Sequence, residues 1–322
     1  MAKTKEAKPS IPAMTIGAVL EHKVKAEKQT SHIMLARLSI GCWEGRVQDK
    51  DAARKREVDA HAVEGAATAG KKLGAGVAEH ANLTKYCAGC RNAWGKYTTE
   101  WDKGRGGSRA FAPEAAPDLI MRVGELEAGY WERVKEFLRV WPTVLANRQY
   151  DLGAMFDPKD FPSPKAMARK FYWSFDPSIL ANPDDIRFAS GISEEAASEL
   201  IEASTNNVKE KYKAAANDAA AKLFKVVQSM HETMSVPHGE KGSKFNNSKL
   251  ENILEVAEIM PMLNVTGDPV LAELARKAKK LATKSPGELR GDEVKRKAAA
   301  KESGDLAKAI ADAFDVEVDD DE

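Results

Sequence analysis

The chain has 322 residues, 43% of them apolar, which is enough for a real core in one large or two modest domains. Lysine plus arginine equals aspartate plus glutamate at 49 each, so the overall charge excludes a protein that attracts nucleic acid, or mimics it, over its whole surface. Three cysteines do not make a disulfide framework, and there is no signal-peptide core and no apolar run of about 18 residues. A cytoplasmic location without membrane contact is therefore predicted.

The first strand candidate follows a leader. Residues 1–12 carry three lysines and two prolines and are predicted to be flexible. Apolar and polar residues alternate through residues 34–42, which is the period of a half-buried strand. Shorter segments at residues 170–176 and 185–189 are the second and third strand candidates, with Pro183 in the hairpin-like turn between them.

Most of the remaining chain has helical periodicity. One apolar stripe begins at a helix capped by Asn82, and it is predicted to pack against a long helix at residues 114–150. The longest helix begins after Ser193, and its stripe, like the first, fits either an internal core or a second copy of the chain, so a homo-oligomer stays open. The predicted fold class is mostly α with a small antiparallel sheet (α+β), in which long amphipathic helices pack around about three short strands. This single domain is placed at residues 13–285.

Cys87 and Cys90 form the most conspicuous local motif. Two thiols at this spacing fit half of a zinc site or a redox pair, but the chain has no second pair of this kind. Both lie on the apolar stripe beside Tyr86 and Trp94, which favours buried, inert thiols. Cys42 points inward by the alternation of the first strand. The prediction is therefore that the protein holds no metal and no cofactor.

The sequence contains no arrangement of residues that is typical of an active site. His231 and Glu232 begin like the helix of a zinc protease, but the second histidine is missing. A glycine-rich phosphate loop is also absent from the sequence. The prediction is a protein that is not an enzyme and has no catalytic residues.

A glycine-rich segment at residues 102–110 is predicted to be a hairpin tip. It carries basic residues close to Trp101 and Phe111. Phosphate attraction combined with base stacking is typical of proteins that bind single-stranded nucleic acid. The alternative interpretation is a solvated turn. The three basic residues predicted to contact nucleic acid here are Lys103, Arg105 and Arg109.

The C-terminal residues 286–322 are predicted to be a charged tail with a basic linker, a short amphipathic helix and an acidic end. Residues 276–301 carry ten basic residues against three acids, whereas residues 302–322 carry nine acids and one lysine. The basic run predicts a mobile second nucleic-acid contact formed by Lys279, Lys280, Lys295, Arg296 and Lys297. The short helix predicts a partner-binding stripe formed by Leu306, Ile310 and Phe314. The alternative is a frayed, solvated end.

Three segments resemble a phage and prophage family that is known only as a domain of unknown function. They are residues 34–55 (MLARLSIGCWEGRVQDKDAARK), 156–164 (FDPKDFPSP) and 263–269 (LNVTGDP). The resemblance covers roughly residues 30 to 285. It implies a bacteriophage or mobile-element origin, the cytoplasm of a bacterial host, and an accessory role in DNA metabolism, but it transfers no catalytic residue.

Two functional hypotheses follow. The first is a non-enzymatic phage accessory protein that acts by binding DNA in replication or recombination. The second is an adaptor or assembly component that recruits a phage or host protein, such as a ring-forming ATPase, through its C-terminal helix. Titration with DNA tests the first hypothesis, and deletion of residues 302–322 tests the second.

Overall fold

The computed structural model describes residues 33–74, 76–102, 104, 106–180, 182–188, 191–237 and 239–316, with the backbone alone at 186–188. The predicted leader and the acidic end after residue 316 lie outside these residues. The strands are β1 (Met34–Gly41), β2 (Arg46–Gln48), β3 (Gly70–Lys72), β4 (Thr99–Glu100), β5 (Arg109–Phe111) and β6 (Tyr172–Ile179). The helices are α1 (Lys50–Asp59), α2 (Ala78–Tyr97), α3 (Ala116–Leu152), α4 (Pro164–Ala168), α5 (Glu194–Ser235), α6 (Ser248–Leu263), α7 (Pro269–Ala282), α8 (Pro286–Gly291) and α9 (Glu293–Ala313). Short 3₁₀ helices lie at Pro113–Ala115, Gly153–Met155, Pro158–Asp160 and Pro183–Phe188.

The predicted fold class is confirmed, because long helices dominate and the strands form a small antiparallel sheet. Its strand order is β4-β5-β1-β6, and a separate two-stranded ribbon pairs β2 with β3. The strand predicted at residues 185–189 is wrong, since Pro183–Phe188 is a 3₁₀ helix. Asn182 explains the difference: its side chain accepts a hydrogen bond from the Asp184 amide at 3.1 Å, and the proline that follows it fixes a helical φ.

The described chain divides into two compact units. The first contains residues 33–35, 97–116 and 178–316, and the second contains residues 36–96 and 117–177. Each has apolar side chains that are almost fully buried. A boundary at residue 285 is not found, because helices α7, α8 and α9 belong to the same unit.

The core of the first unit forms where α5 packs against α6, α7 and α9. Its central α5 residues include Leu223, Val227 and Met230, each with no exposed surface. Close helix packing also depends on Gly304 of α9, since a Cβ atom there would lie 2.7 Å from the His231 ring. Ser193 caps α5 as predicted, accepting a hydrogen bond from the Ala196 amide at 3.3 Å.

Residues 286–313 are part of this core, which corrects the prediction of a mobile basic linker. Asp292 begins α9 by accepting hydrogen bonds from the amides of Val294 and Lys295 at 3.0 and 3.1 Å. The apolar stripe that follows faces the core, where each buried large side chain contributes about 1.5 to 3 kcal/mol. The segment is highly charged, yet its apolar stripe determines that it packs into the core of the first unit.

The core of the second unit is aromatic. Trp43 contacts His80, Phe137 and Trp141, with ring centroids 5.9, 6.2 and 5.2 Å away. Helices α2 and α3 supply most of these rings and are joined by a hydrogen bond from the Tyr86 hydroxyl to the Leu126 carbonyl at 3.2 Å. The predicted pairing of these two helices is therefore observed.

Candidate nucleic-acid interface

The β2–β3 ribbon of the second unit places two cations side by side. In its antiparallel register Arg46 is opposite Lys72, and Gln48 is opposite Gly70. Side chains directly opposite each other on one face of a ribbon have Cβ atoms about 5 Å apart. Arg46, Gln48 and Lys72 are exposed, and no acidic group in the described part of the chain forms an ion pair with either cation. This face therefore carries two adjacent positive charges.

The opposite face of the same ribbon is neutralised. Lys71 is paired with Val47 and points the other way, because neighbouring residues of a strand alternate between faces. Its Nζ atom lies 3.0 Å from Asp160 Oδ2 and 3.9 Å from Asp49 Oδ2. The hydrogen bond to Asp160 raises the pKa of Lys71 above its ordinary value. The positive charge of Lys71 is thus compensated within the protein.

Like charges directly opposite each other destabilise a sheet. The Arg46–Lys72 pair therefore costs folding free energy in the isolated protein, and an anion placed between the two cations would remove that cost. Arginine, lysine and glutamine are among the side chains that proteins use to contact phosphate oxygens. The exposed face of the ribbon is chemically suited to a phosphate backbone.

The hairpin formed by β4 and β5 is attached to α5 in the first unit through a polar network. Asp218 accepts hydrogen bonds from the Glu100 amide at 3.0 Å and from Lys222 Nζ at 2.9 Å, and it lies 3.5 Å from Arg109 Nη2. Lys222 also donates to the Thr98 carbonyl at 2.7 Å. Burial lowers the pKa of Lys222, and the Asp218 charge opposes that shift. The base of the hairpin is therefore a fixed structure and not a solvated turn.

Arg109 belongs to this network, which corrects its prediction as a phosphate contact. Its Nε atom donates to Thr98 Oγ1 at 2.7 Å and its Nη2 atom donates to the Thr98 carbonyl at 2.8 Å. Burial lowers the pKa of Arg109. Trp101 and Phe111 are buried as well, so they are not placed for base stacking. The guanidinium group holds the two strands to α5.

Lys103 and Arg105, the other two predicted contacts at the hairpin tip, lie outside the described residues. The neighbouring Asp102 forms an ion pair with Lys211 of α5, with 2.6 Å between Oδ1 and Nζ. That hydrogen bond lowers the pKa of Asp102. The tip is therefore anchored on its Asp102 side, and its two basic residues remain a prediction.

The four lysines among the predicted C-terminal contacts lie on an exposed surface where acids neutralise most of them. Three short distances between Nζ and carboxylate oxygen show this: Lys279 to Glu258 at 3.3 Å, Lys295 to Glu288 at 2.6 Å and Lys297 to Glu293 at 2.7 Å. Lys280 is exposed. The contacts are helical residues in regular structure, so the prediction that they are mobile is wrong.

Arg296 is buried, with 3% of its surface exposed, which removes it from any nucleic-acid contact. Its Nη2 atom donates to the carbonyl oxygens of Thr233, Val236 and Ser243 at 2.6, 3.2 and 2.9 Å. Arg296 therefore ties α9 to the end of α5 and to the loop that follows α5.

The predicted partner-binding stripe is also buried. Leu306, Ile310 and Phe314 have exposures of 6%, 0% and 3% and lie in the core of the first unit. The segment is an amphipathic helix as predicted, but the groove that its stripe fills belongs to the chain itself. In this fold the three side chains are covered by the chain itself and do not form an exposed partner-binding stripe.

Cys87 and Cys90 are buried, with 0% and 1% exposure, and Cys42 is partly exposed. Among the described residues, three or more histidine, cysteine or acidic side chains nowhere come together in a way that fits a metal ion. None of the helices in the described part of the chain combines the length and the hydropathy needed to cross a membrane.

No protein-family model, curated protein or solved structure matches the chain. The interface is therefore judged from geometry alone. Sequence reasoning missed Arg46 and Lys72, because strands of three residues are too short to show alternation. The only local signal was a glycine on each side of the ribbon, Gly45 before β2 and Gly74 after β3.

Proposed function

We propose that the protein is a non-enzymatic accessory factor of a bacteriophage or mobile element that acts in DNA replication or recombination by binding the phosphate backbone. The observation that carries the proposal is the exposed Arg46–Lys72 pair, in which two cations face each other without a neutralising acid among the described residues. The phage origin rests on the resemblance of residues 34–55, 156–164 and 263–269, the first of which contains Arg46.

The proposed contact is independent of base sequence. Arg46 and Lys72 supply two phosphate contacts, and Gln48 supplies a hydrogen-bond donor on the same face. Lys103 and Arg105 are proposed as a further contact, on the hairpin whose base is fixed to α5. Each phosphate contact releases counterions from the DNA, so the logarithm of the affinity falls linearly with the logarithm of the salt concentration. For duplex DNA, each contact adds about 0.9 to the steepness of that slope.

The test is a fluorescence titration of labelled single-stranded and double-stranded DNA over a series of salt concentrations. The double variant Arg46→Gln/Lys72→Gln is expected to bind more weakly to DNA of every sequence. For duplex DNA, the slope of log affinity against log salt concentration is expected to become shallower by about 1.8. The matched control is Lys279→Gln/Lys297→Gln, which removes the same charge from an exposed surface where acids are paired with both lysines.

The control is expected to bind like the unmodified chain. Absence of binding at low salt would eliminate the proposal. An equal loss of affinity in both double variants would also eliminate it, because only the net charge would then matter.

A further inference from the structure

The fold brings Cys42 beside the helix that carries Cys87, although the two residues are far apart in the sequence. Cys42 follows the last residue of β1, and Cys87 lies in the middle of α2. Cys42 Sγ lies 3.9 Å from Oγ1 of Thr84, which is one helical turn before Cys87, so the Cys42 thiol lies beside the stretch of α2 that carries Cys87. The two thiols differ in access, since Cys87 is fully buried and Cys42 is partly exposed.

The backbone that carries Cys42 is held in place from two sides. The Tyr130 hydroxyl of α3 donates to the Gly41 carbonyl at 2.6 Å, and Arg91 Nη2 of α2 donates to the Ile40 carbonyl at 2.8 Å. These contacts fix the end of β1 beside the helix that carries Cys87. They also bring the Arg91 guanidinium close to the pair of thiols.

This environment favours a thiolate on Cys42. The hydrogen bond from Cys87 lowers the pKa of Cys42 to about 7, burial opposes the shift, and Thr84 and the Arg91 charge support it. The same hydrogen bond, together with burial, raises the pKa of Cys87. A cysteine with a pKa near 7 is about half ionised at pH 7, compared with roughly 3% for an unperturbed thiol. The reactive form is thus on the sulfur that solvent reaches.

We propose that Cys42 is an oxidation site, at which hydrogen peroxide converts the two thiols into a Cys42–Cys87 disulfide. The Cys42 thiolate attacks one peroxide oxygen, the O–O bond breaks, and hydroxide leaves and takes up a proton as water. Cys42 is thereby oxidised to a sulfenic acid. The Cys87 sulfur then attacks the Cys42 sulfur, the S–O bond breaks, and the hydroxyl group leaves as water with the Cys87 proton. The overall reaction consumes two thiols and one peroxide and yields one disulfide and two waters.

Cys90 provides an internal control, because it lies on the same helix but outside the pair. It is buried, and burial raises its pKa. The Tyr86 side chain opposes that rise in the pKa of Cys90. The inference does not depend on the proposed DNA contact.

The test treats the full-length reduced protein with hydrogen peroxide and identifies linked peptides by mass spectrometry without reduction. The unmodified chain and Cys90→Ser are expected to give one linkage, between the peptides of Cys42 and Cys87, which dithiothreitol reverses. Cys87→Ser is expected to stop at the sulfenic acid of Cys42, which a 1,3-dione probe traps. A linkage that includes Cys90, or a Cys42 that remains a thiol, would overturn the proposal.

A second measurement uses the unmodified chain and is independent of how a variant folds. The rate of Cys42 alkylation by iodoacetamide is recorded against pH in the native protein. The expected profile has its midpoint near pH 7, with Cys87 and Cys90 unlabelled. A midpoint at the value of an unperturbed thiol, about 8.5, would count against the site.

Discussion

Two basic regions of the molecule differ in what surrounds their charges. On the β2–β3 ribbon, Arg46 and Lys72 face each other across the strands without an acidic partner among the described residues. On α7 and α9, the sequence holds far more lysine, but acids lie 2.6 Å from Lys295 and 2.7 Å from Lys297. The ribbon is therefore the better anion site, although its segment of sequence is less basic.

The difference shows that charge density along the sequence is a poor guide to charge on the surface. A helix brings residues three and four apart together, so a segment that mixes lysine with glutamate neutralises itself. A ribbon joins residues that are distant in sequence, and nothing local prevents two cations from meeting.

The largest expected effect is on the C-terminal region, which the structure makes part of a core. Phe314→Ala should lower the free energy of unfolding by about 4 kcal/mol, because it empties a buried site. Val294→Ala, at the start of α9 and 78% exposed, is the control and should change the free energy of unfolding by less than about 0.5 kcal/mol. Urea unfolding followed by circular dichroism measures both. Equal values would mean that α9 is a detached tail.

The neighbours Arg296 and Lys297 provide the next test. Arg296→Ala should lower the free energy of unfolding by about 3 kcal/mol, because three carbonyl oxygens lose their donor, two of them in fully buried hydrogen bonds. Lys297→Ala removes one exposed ion pair and should cost less than about 0.5 kcal/mol. Neither change should alter DNA affinity in variants that remain folded. If Lys297→Ala instead weakened DNA binding, the C-terminal surface would be the contact after all.

The smallest expected effect is a gain of stability on the ribbon. Lys72→Glu turns the like-charged pair with Arg46 into an opposite-charged one and should raise the free energy of unfolding by about 0.5 kcal/mol. The same change should weaken DNA binding. Salt should stabilise the unmodified ribbon, because it screens the repulsion, and should not stabilise the variant. Loss of stability in Lys72→Glu would show that the two charges do not repel each other.

The sequence could predict the elements but not their partners. The alternation of residues 34–42 identified β1, and the spacing of Leu306, Ile310 and Phe314 identified an amphipathic helix. Whether that stripe faces the chain's own core or another protein is decided by α5, which no local pattern reveals.

The candidate site was less predictable for the same physical reason. The register of Arg46 with Lys72 and the position of Cys42 beside the helix that carries Cys87 are both set by long-range packing. The alternation of β1 predicted an inward-pointing Cys42, but its position just beyond the strand leaves it partly exposed. The sequence shows the charge of Arg109, but its contact with Asp218, which is distant along the chain, cannot be read from neighbouring residues.

The most direct test of the central claim is to map where DNA touches the protein. Formaldehyde cross-linking of the full-length chain to a double-stranded oligonucleotide at low salt, followed by peptide mass spectrometry, locates the contacts. DNA adducts are predicted on the peptide that contains Lys72, with those at residues 276–301 at background level. Adducts confined to residues 276–301, with the ribbon unmodified, would contradict the account.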